Sequence, residues 1–286
     1  MKNPKSKEKA LKDLKYQGDA VIATSNWSKR ILVFTPSRGL VRMEWVHARY
    51  GQIIPTNFSL VDMTQFLSPY IPIGYQLADA QNLMAKKVVE DDYEWIIYLE
   101  DDNVIPPDAF RRFNEYIIDK RFPVVSALYF TKSDPPEPLI YRGRGTGYFT
   151  DWKLGDLVWC DGIPFGFRLE HAGLIKAAWE TSPEYIVGGE TTRRVFSQPT
   201  AMYENPEKKG YETIGGTTDL EWCKRIIEED LFTKAGFPEF GKKKYPFLVD
   251  TNIFVSHIDQ NGQKWPPVIP LKFKPEHGRP AKREIK

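Results

Sequence analysis

The chain has 286 residues, 41% of them hydrophobic and 14% aromatic, which is material for one large α/β domain or two small ones. A formal net charge of +2 is too small to imply nucleic acid as a partner, and no stretch approaches the roughly 20 apolar residues that a membrane span requires. Cys160 and Cys223 are far apart and lack metal-like spacing, which argues against a disulfide framework or a structural zinc site and fits a reducing, cytoplasmic setting.

Residues 1–28 form a Lys-rich tail with no apolar run behind it, so it does not read as a secretory signal, and no integral membrane association is expected. Ile31 to Thr35 is a short apolar run ending in the turn residues Pro36-Ser37-Arg38-Gly39, as a buried strand would. Residues 41–50 suit a helix, 58–62 a second strand, and 77–89 a helix with Leu77, Ala80, Leu83, Met84 and Val88 at helical spacing. Trp95 to Leu99 is almost wholly apolar, typical of a strand covered on both faces. Pro106-Pro107-Asp108 opens another helix, because proline fits the first turn and aspartate the positive helix end. Val124 to Phe130 supplies a further strand. This alternation predicts a βαβ architecture around a mostly parallel sheet flanked by helices.

The second half is less regular. Residues 131–156 and 182–217 read as long loops, of the kind that serve as lids. Between them, 169–179 reads as a helix. Another helix runs from Asp219 to Leu231, where Thr218 and Glu221 fit a capping box. Residues 247–249 and 253–255 are strand candidates, and 263–286 form a basic, Pro-rich tail.

The most informative stretch is Tyr98-Leu99-Glu100-Asp101-Asp102-Asn103. Three carboxylates directly follow a buried strand, at the end of the sheet where open α/β folds bind ligands. Such crowding of like charge is costly unless a cation or ligand hydroxyls relieve it. Mg²⁺ and Mn²⁺ prefer one or two carboxylates together with substrate phosphate oxygens. On its own the triplet is equally a solvated acidic turn.

Ile-Ile-Tyr-Leu-Glu-Asp-Asp-Asn followed by Pro-Pro-Asp-Ala-Phe resembles the DxD region of GT-A glycosyltransferases, in a Glu-Asp-Asp form like that of N-acetylglucosaminyltransferase I. Family-2-like transferases carry a related Asp-x-Asp. The resemblance implies that Asp102 binds the metal, while Glu100 and Asp101 face the nucleotide sugar or waters on the ion. Thr35-Pro36-Ser37-Arg38 is similar to the loop that holds the base and ribose. Asp79-Ala80-Gln81-Asn82 resembles a donor-facing Arg-Asn stretch, with Gln81 where arginine is common, so that Asp79 and Asn82 become donor-site candidates.

Trp159 to Phe167 resembles the segment beneath the donor sugar, with Gly162 and Gly166 allowing close approach. Gly216 to Arg225 is similar to the region that carries the general base of inverting enzymes, and Asp219 is the candidate. The helix dipole would keep Asp219 ionised but make it less basic. His257, after a short apolar run, stands where GT-A enzymes often supply a histidine to the same metal.

Together these imply one GT-A domain over residues 29–262 and a Mn²⁺- or Mg²⁺-dependent hexosyltransferase. Its donor would be a UDP-sugar ahead of a GDP-sugar, and its acceptor a hydroxyl of a glycan, a protein or a modified nucleic acid. Inversion is expected, with retention an alternative on the same fold. Rival readings are a nucleotidyltransferase, for which Thr35–Gly39 poorly matches a Gly-rich phosphate loop, a nucleic-acid-binding protein using the basic tails, and a degenerate fold that only binds ligand.

Overall fold

The computed structural model describes residues 31–54, 70–143, 147–205, 207 and 210–267. The strand expected at 58–62, the tail 1–28, and the C-terminal tail beyond Pro267 lie outside the described residues. In chain order the elements are β1 (Ile31–Phe34), α1 (Met43–Tyr50), α2 (Leu77–Glu90), β2 (Trp95–Leu99), β3 (Asn103–Val104), α3 (Ala109–Asp119) and β4 (Val124–Leu128). They continue with β5 (Leu157–Cys160), β6 (Phe167–His171), α4 (Gly173–Trp179), β7 (Glu184–Val187), β8 (Glu190–Arg193), β9 (Thr200–Asn205) and β10 (Gly210–Gly215). The last are α5 (Thr218–Glu228), α6 (Leu231–Lys234), α7 (Pro238–Gly241), β11 (Phe247–Phe254), β12 (Ser256–Ile258) and β13 (Lys264–Trp265).

The architecture is a mixed α/β layer structure with a mostly parallel central sheet flanked by helices. Its six-stranded sheet has the order β1-β2-β6-β4-β11-β5. β1, β2, β4 and β11 run one way, while β6 and β5 run the other. Alternate residues of each strand feed two cores. Leu32, Phe34, Ile96 and Tyr98 pack with α2, α4 and α5 on one face. Ile31, Val33, Ile97 and Leu99 pack with Trp45 of α1 and with Phe110 and Phe113 of α3 on the other. Burial on both faces is why these strands read as continuous apolar runs. No helix among the described residues is long and apolar enough to cross a membrane.

Three expectations are corrected. The helix at 169–179 is strand β6 followed by the shorter α4. Arg168 and Glu170 alternate with Phe167 and Leu169, and all four are buried, so the charged side chains of this strand line the inside. The loop expected at 182–217 holds two antiparallel hairpins, β7–β8 and β9–β10. In the first, Gly188 and Gly189 both adopt positive φ and form a two-residue turn between Val187 and Glu190. The capping box is absent: α5 starts one residue earlier than expected, which puts Thr217 at the N-cap without a side-chain cap bond and Thr218 inside the first turn. Residues 131–156, by contrast, carry only isolated bridges among their described residues.

Candidate functional site

The parallel strands β1, β2 and β4 end at one edge of the sheet, and the antiparallel β6 begins there. The turn after β2 is locked by backbone contacts. Glu100 N–H donates to Gly166 O (2.9 Å), while Glu100 O accepts from the Trp45 indole (2.9 Å) and Asn103 N–H (3.2 Å). β12 then pairs His257 with Asn103, and Ile258 N–H donates to Asp102 O (2.8 Å). A strand more than 150 residues downstream thus brings imidazole and acidic turn together.

One ligand atom each from Glu100, Asp102 and His257 lies within 4.8 Å of the others. His257 Nδ1 sits 2.5 Å from Phe130 O, which assigns it the proton and leaves Nε2 facing Asp102 Oδ1 at 4.0 Å. The edge of Tyr129 meets the imidazole with 5.0 Å between centroids. Orientation of a ligand imidazole through its other nitrogen is common support for a metal. Bonds of about 2.1 Å place opposed ligands about 4.2 Å apart, so the cluster closes on one divalent ion with small side-chain adjustments.

The electrostatics point the same way. Burial pushes the Glu100 carboxyl well above the usual range, and Asp102, Asp219 and Asp101 push it further. Burial also depresses the His257 imidazole, keeping it neutral and able to ligate. The ammonium of Lys132 is bonded to Asp102 Oδ2, and the Asn103 amide donates to Asp102 Oδ1 (3.1 Å).

Asp101 turns away from this cluster. It accepts hydrogen bonds from the Ser37 hydroxyl and the Arg38 N–H, with burial raising its carboxyl above the ordinary value. It therefore braces the loop that contains Thr35, Pro36 and Arg38. Thr35 is buried, Pro36 half-buried and Arg38 exposed. The Thr35 hydroxyl has no hydrogen-bond partner among the described residues.

Asp219 stands in the first turn of α5 and acts electrostatically on Glu100, Tyr129 and Tyr141. Its Oδ1 accepts from Leu220 N–H (2.8 Å), and the Thr217 hydroxyl donates to the same carboxylate. The expected loss of basicity at a helix N-terminus is not what prevails. Burial is the largest influence and raises the carboxyl, against the hydrogen bonds that lower it.

The remaining candidates have structural partners. Asn82 is buried, with its amide pinned to Phe196 at both O (3.0 Å) and N (2.7 Å), while Tyr185 bridges it to Asp79. The pair thus holds the β7–β8 hairpin and the segment after it. Gly162 leaves room for Leu220 and Tyr141. A Cβ on Gly166 would lie 2.4 Å from Tyr129 Oη and 2.7 Å from Asn103 Nδ2, so this glycine permits close packing behind the acidic turn.

Sequence reasoning missed Lys132, Arg168, Glu170 and Trp222. Arg168 pairs with Glu170 inside the protein, and Glu170 accepts from the Trp222 indole (3.1 Å) and the Tyr98 hydroxyl (3.4 Å). This network ties α5, and hence Asp219, to β2 and β6. Charged residues at i and i+2 in an otherwise apolar run were the available signal.

No protein-family model matches the chain, and no curated protein matches it. Among solved structures, it is similar to A197 from STIV at 14% identity and a TM-score of 0.46, over 89% of this chain and 99% of that one. It is also similar to a putative glucose-1-phosphate thymidylyltransferase from Bacillus anthracis, in complex with a sucrose, at 12% identity and a TM-score of 0.32, over 54% and 76% of the two chains.

Proposed function

We propose that this chain is a GT-A glycosyltransferase that moves a sugar from a nucleoside-diphosphate donor to an acceptor hydroxyl with inversion. The observation that carries the reading is the gathering of Glu100, Asp102 and His257 at the strand ends, with Asp219 acting on Glu100. A mixed oxygen and nitrogen donor set favours Mn²⁺ over Mg²⁺, which takes oxygen almost alone. A divalent ion held there supplies positive charge for the departing diphosphate.

The protein's own groups do the rest. The Thr35–Arg38 loop, braced by Asp101, receives the nucleotide, with a UDP-sugar as the first candidate and a GDP-sugar the second. Phe130 O keeps the His257 proton on Nδ1, leaving Nε2 as the ligand atom. Asp219, raised by burial, takes the acceptor proton as its oxygen attacks the anomeric carbon. Residues 131–156 would shape the acceptor side and exclude water.

A thermal-shift screen of nucleotide sugars with and without Mn²⁺ tests this without knowledge of the acceptor. A Mn²⁺-dependent rise in Tm with one nucleotide sugar is expected. Stabilisation by nucleoside triphosphates and by no nucleotide sugar would sink the reading in favour of nucleotidyl transfer.

A further inference from the structure

Lys132 is placed with unusual care for a lysine on an irregular segment. Thr131, just before it, is held at both ends of its peptide and side chain: its N–H donates to Glu137 O (2.9 Å) and its hydroxyl accepts from Glu137 N–H (2.9 Å). Phe130, one residue earlier, is the acceptor that orients His257. The same short segment therefore sets the imidazole and delivers an ammonium to Asp102. The root of Lys132 is fixed, while its side chain is 32% exposed and has room to swing.

The two oxygens of Asp102 are divided between different neighbours. Oδ1 faces His257 Nε2 and the Asn103 amide, and Oδ2 holds Lys132. The ammonium also acts on Glu100, Asp101 and His257, so its charge is felt by each side chain of the cluster and by the brace of the nucleotide loop. A divalent ion entering beside Oδ1 meets that positive charge at close range. The repulsion falls away if the lysine moves to another anion, and a diphosphate on the ion's open side is such an anion.

We propose that Lys132 is a resident counter-cation that opposes binding of the metal alone and couples it to the arrival of the nucleoside diphosphate. The inference rests on reading the site as a metal-diphosphate centre. Coupling of this kind is reciprocal, so the metal tightens the nucleotide by the same factor. The free protein would then hold its cluster neutralised by its own side chain and take up metal and nucleotide together.

The test uses the full chain, with bound Mn²⁺ measured from the loss of the free-ion electron paramagnetic resonance signal, and UDP as the nucleotide probe. K132M should bind Mn²⁺ alone roughly tenfold more tightly than the wild type, because a unit charge at contact distance is removed from a partly exposed site. K132R keeps the charge and should retain the weak wild-type affinity, which separates charge from packing. UDP should tighten Mn²⁺ binding in the wild type by a factor that is clearly smaller in K132M. Equal or weaker Mn²⁺ binding by K132M without UDP overturns the proposal, as does an unchanged coupling factor. If neither UDP nor GDP has an effect on the wild type, the metal-diphosphate reading itself falls, and the Mn²⁺-alone comparison still decides whether Lys132 opposes the ion.

Discussion

Arg168 and Glu170, two residues apart on one face of β6, form an ion pair with no exposed side-chain surface. The guanidinium also lies over the rings of Phe165 (4.9 Å to the centroid), Phe247 (5.8 Å) and Tyr98 (5.9 Å). Removing one partner leaves an uncompensated buried charge, so Glu170→Ala should cost about 3–5 kcal/mol in urea denaturation followed by tryptophan fluorescence. Arg168→Met combined with Glu170→Leu should cost far less than the sum of the single changes. Additive losses would show that the two side chains are not a unit.

Asp102 and Asp219 should separate binding from chemistry. Asp102→Ala is expected to abolish Mn²⁺-dependent nucleotide binding by calorimetry. Asp219→Asn should keep that binding and lose transfer by about 10²–10⁴-fold, the range of a general base. Retained transfer in Asp219→Asn removes the base assignment, whatever the donor proves to be.

Gly166 predicts a defect that spreads from packing to binding. Its added methyl in Gly166→Ala would collide with Tyr129 Oη and with the Asn103 amide that donates to Asp102. Overpacking of this kind costs about 1–3 kcal/mol. The melting temperature should fall and Mn²⁺ affinity should weaken with it. A loss of stability with unaltered metal affinity would uncouple this glycine from the acidic turn.

His171 provides a pH test. Its ring lies edge-on between Trp95 and Phe237 (4.9 Å to each centroid), and its Nδ1 accepts from Gly173 N–H (3.1 Å). Burial lowers its pKa from 6.5 to about 4. Between those values the unfolded chain binds a proton that the folded chain refuses, so stability falls as pH drops from 6.5 through about 4. The contribution reaches about 2–3 kcal/mol at the acid end. His171→Asn keeps an acceptor near Nδ1 and removes the titration. Its stability should fall less steeply than the wild type's over the same window.

The halves of the chain differ in how far local pattern could be followed. β1, β2 and β4 were legible because burial on both faces makes them apolar runs, and α2 and α5 because a single buried face gives helical spacing. β6 was not, since its inward pair Arg168 and Glu170 satisfy each other and carry no hydrophobic signal. The Gly188-Gly189 turn was visible in the sequence, but the exposed strands around it lack alternation of apolar residues. At the site, Asp102 and His257, expected as metal ligands, lie together with Glu100, which was expected to face the nucleotide sugar, and it was the resemblance that pointed to the histidine. Lys132 was invisible because nothing local marks a lysine that will meet a carboxylate 30 residues away.

The place of β6 between β2 and β4 has a consequence for synthesis on the ribosome. Among the strands of this sheet these two follow one another in sequence, yet they are joined only through residues 167–171, which pair with both. β11 must then pair with β4 before β12 can carry His257 to the acidic turn. A nascent chain ending before His171 lacks the centre of its sheet, and one ending before His257 has its carboxylates without their imidazole. Long-range pairings of this kind form late and slowly. Capture of Mn²⁺ by arrested chains of increasing length would therefore begin only after almost the whole domain has emerged, making the ion a reporter of completed folding.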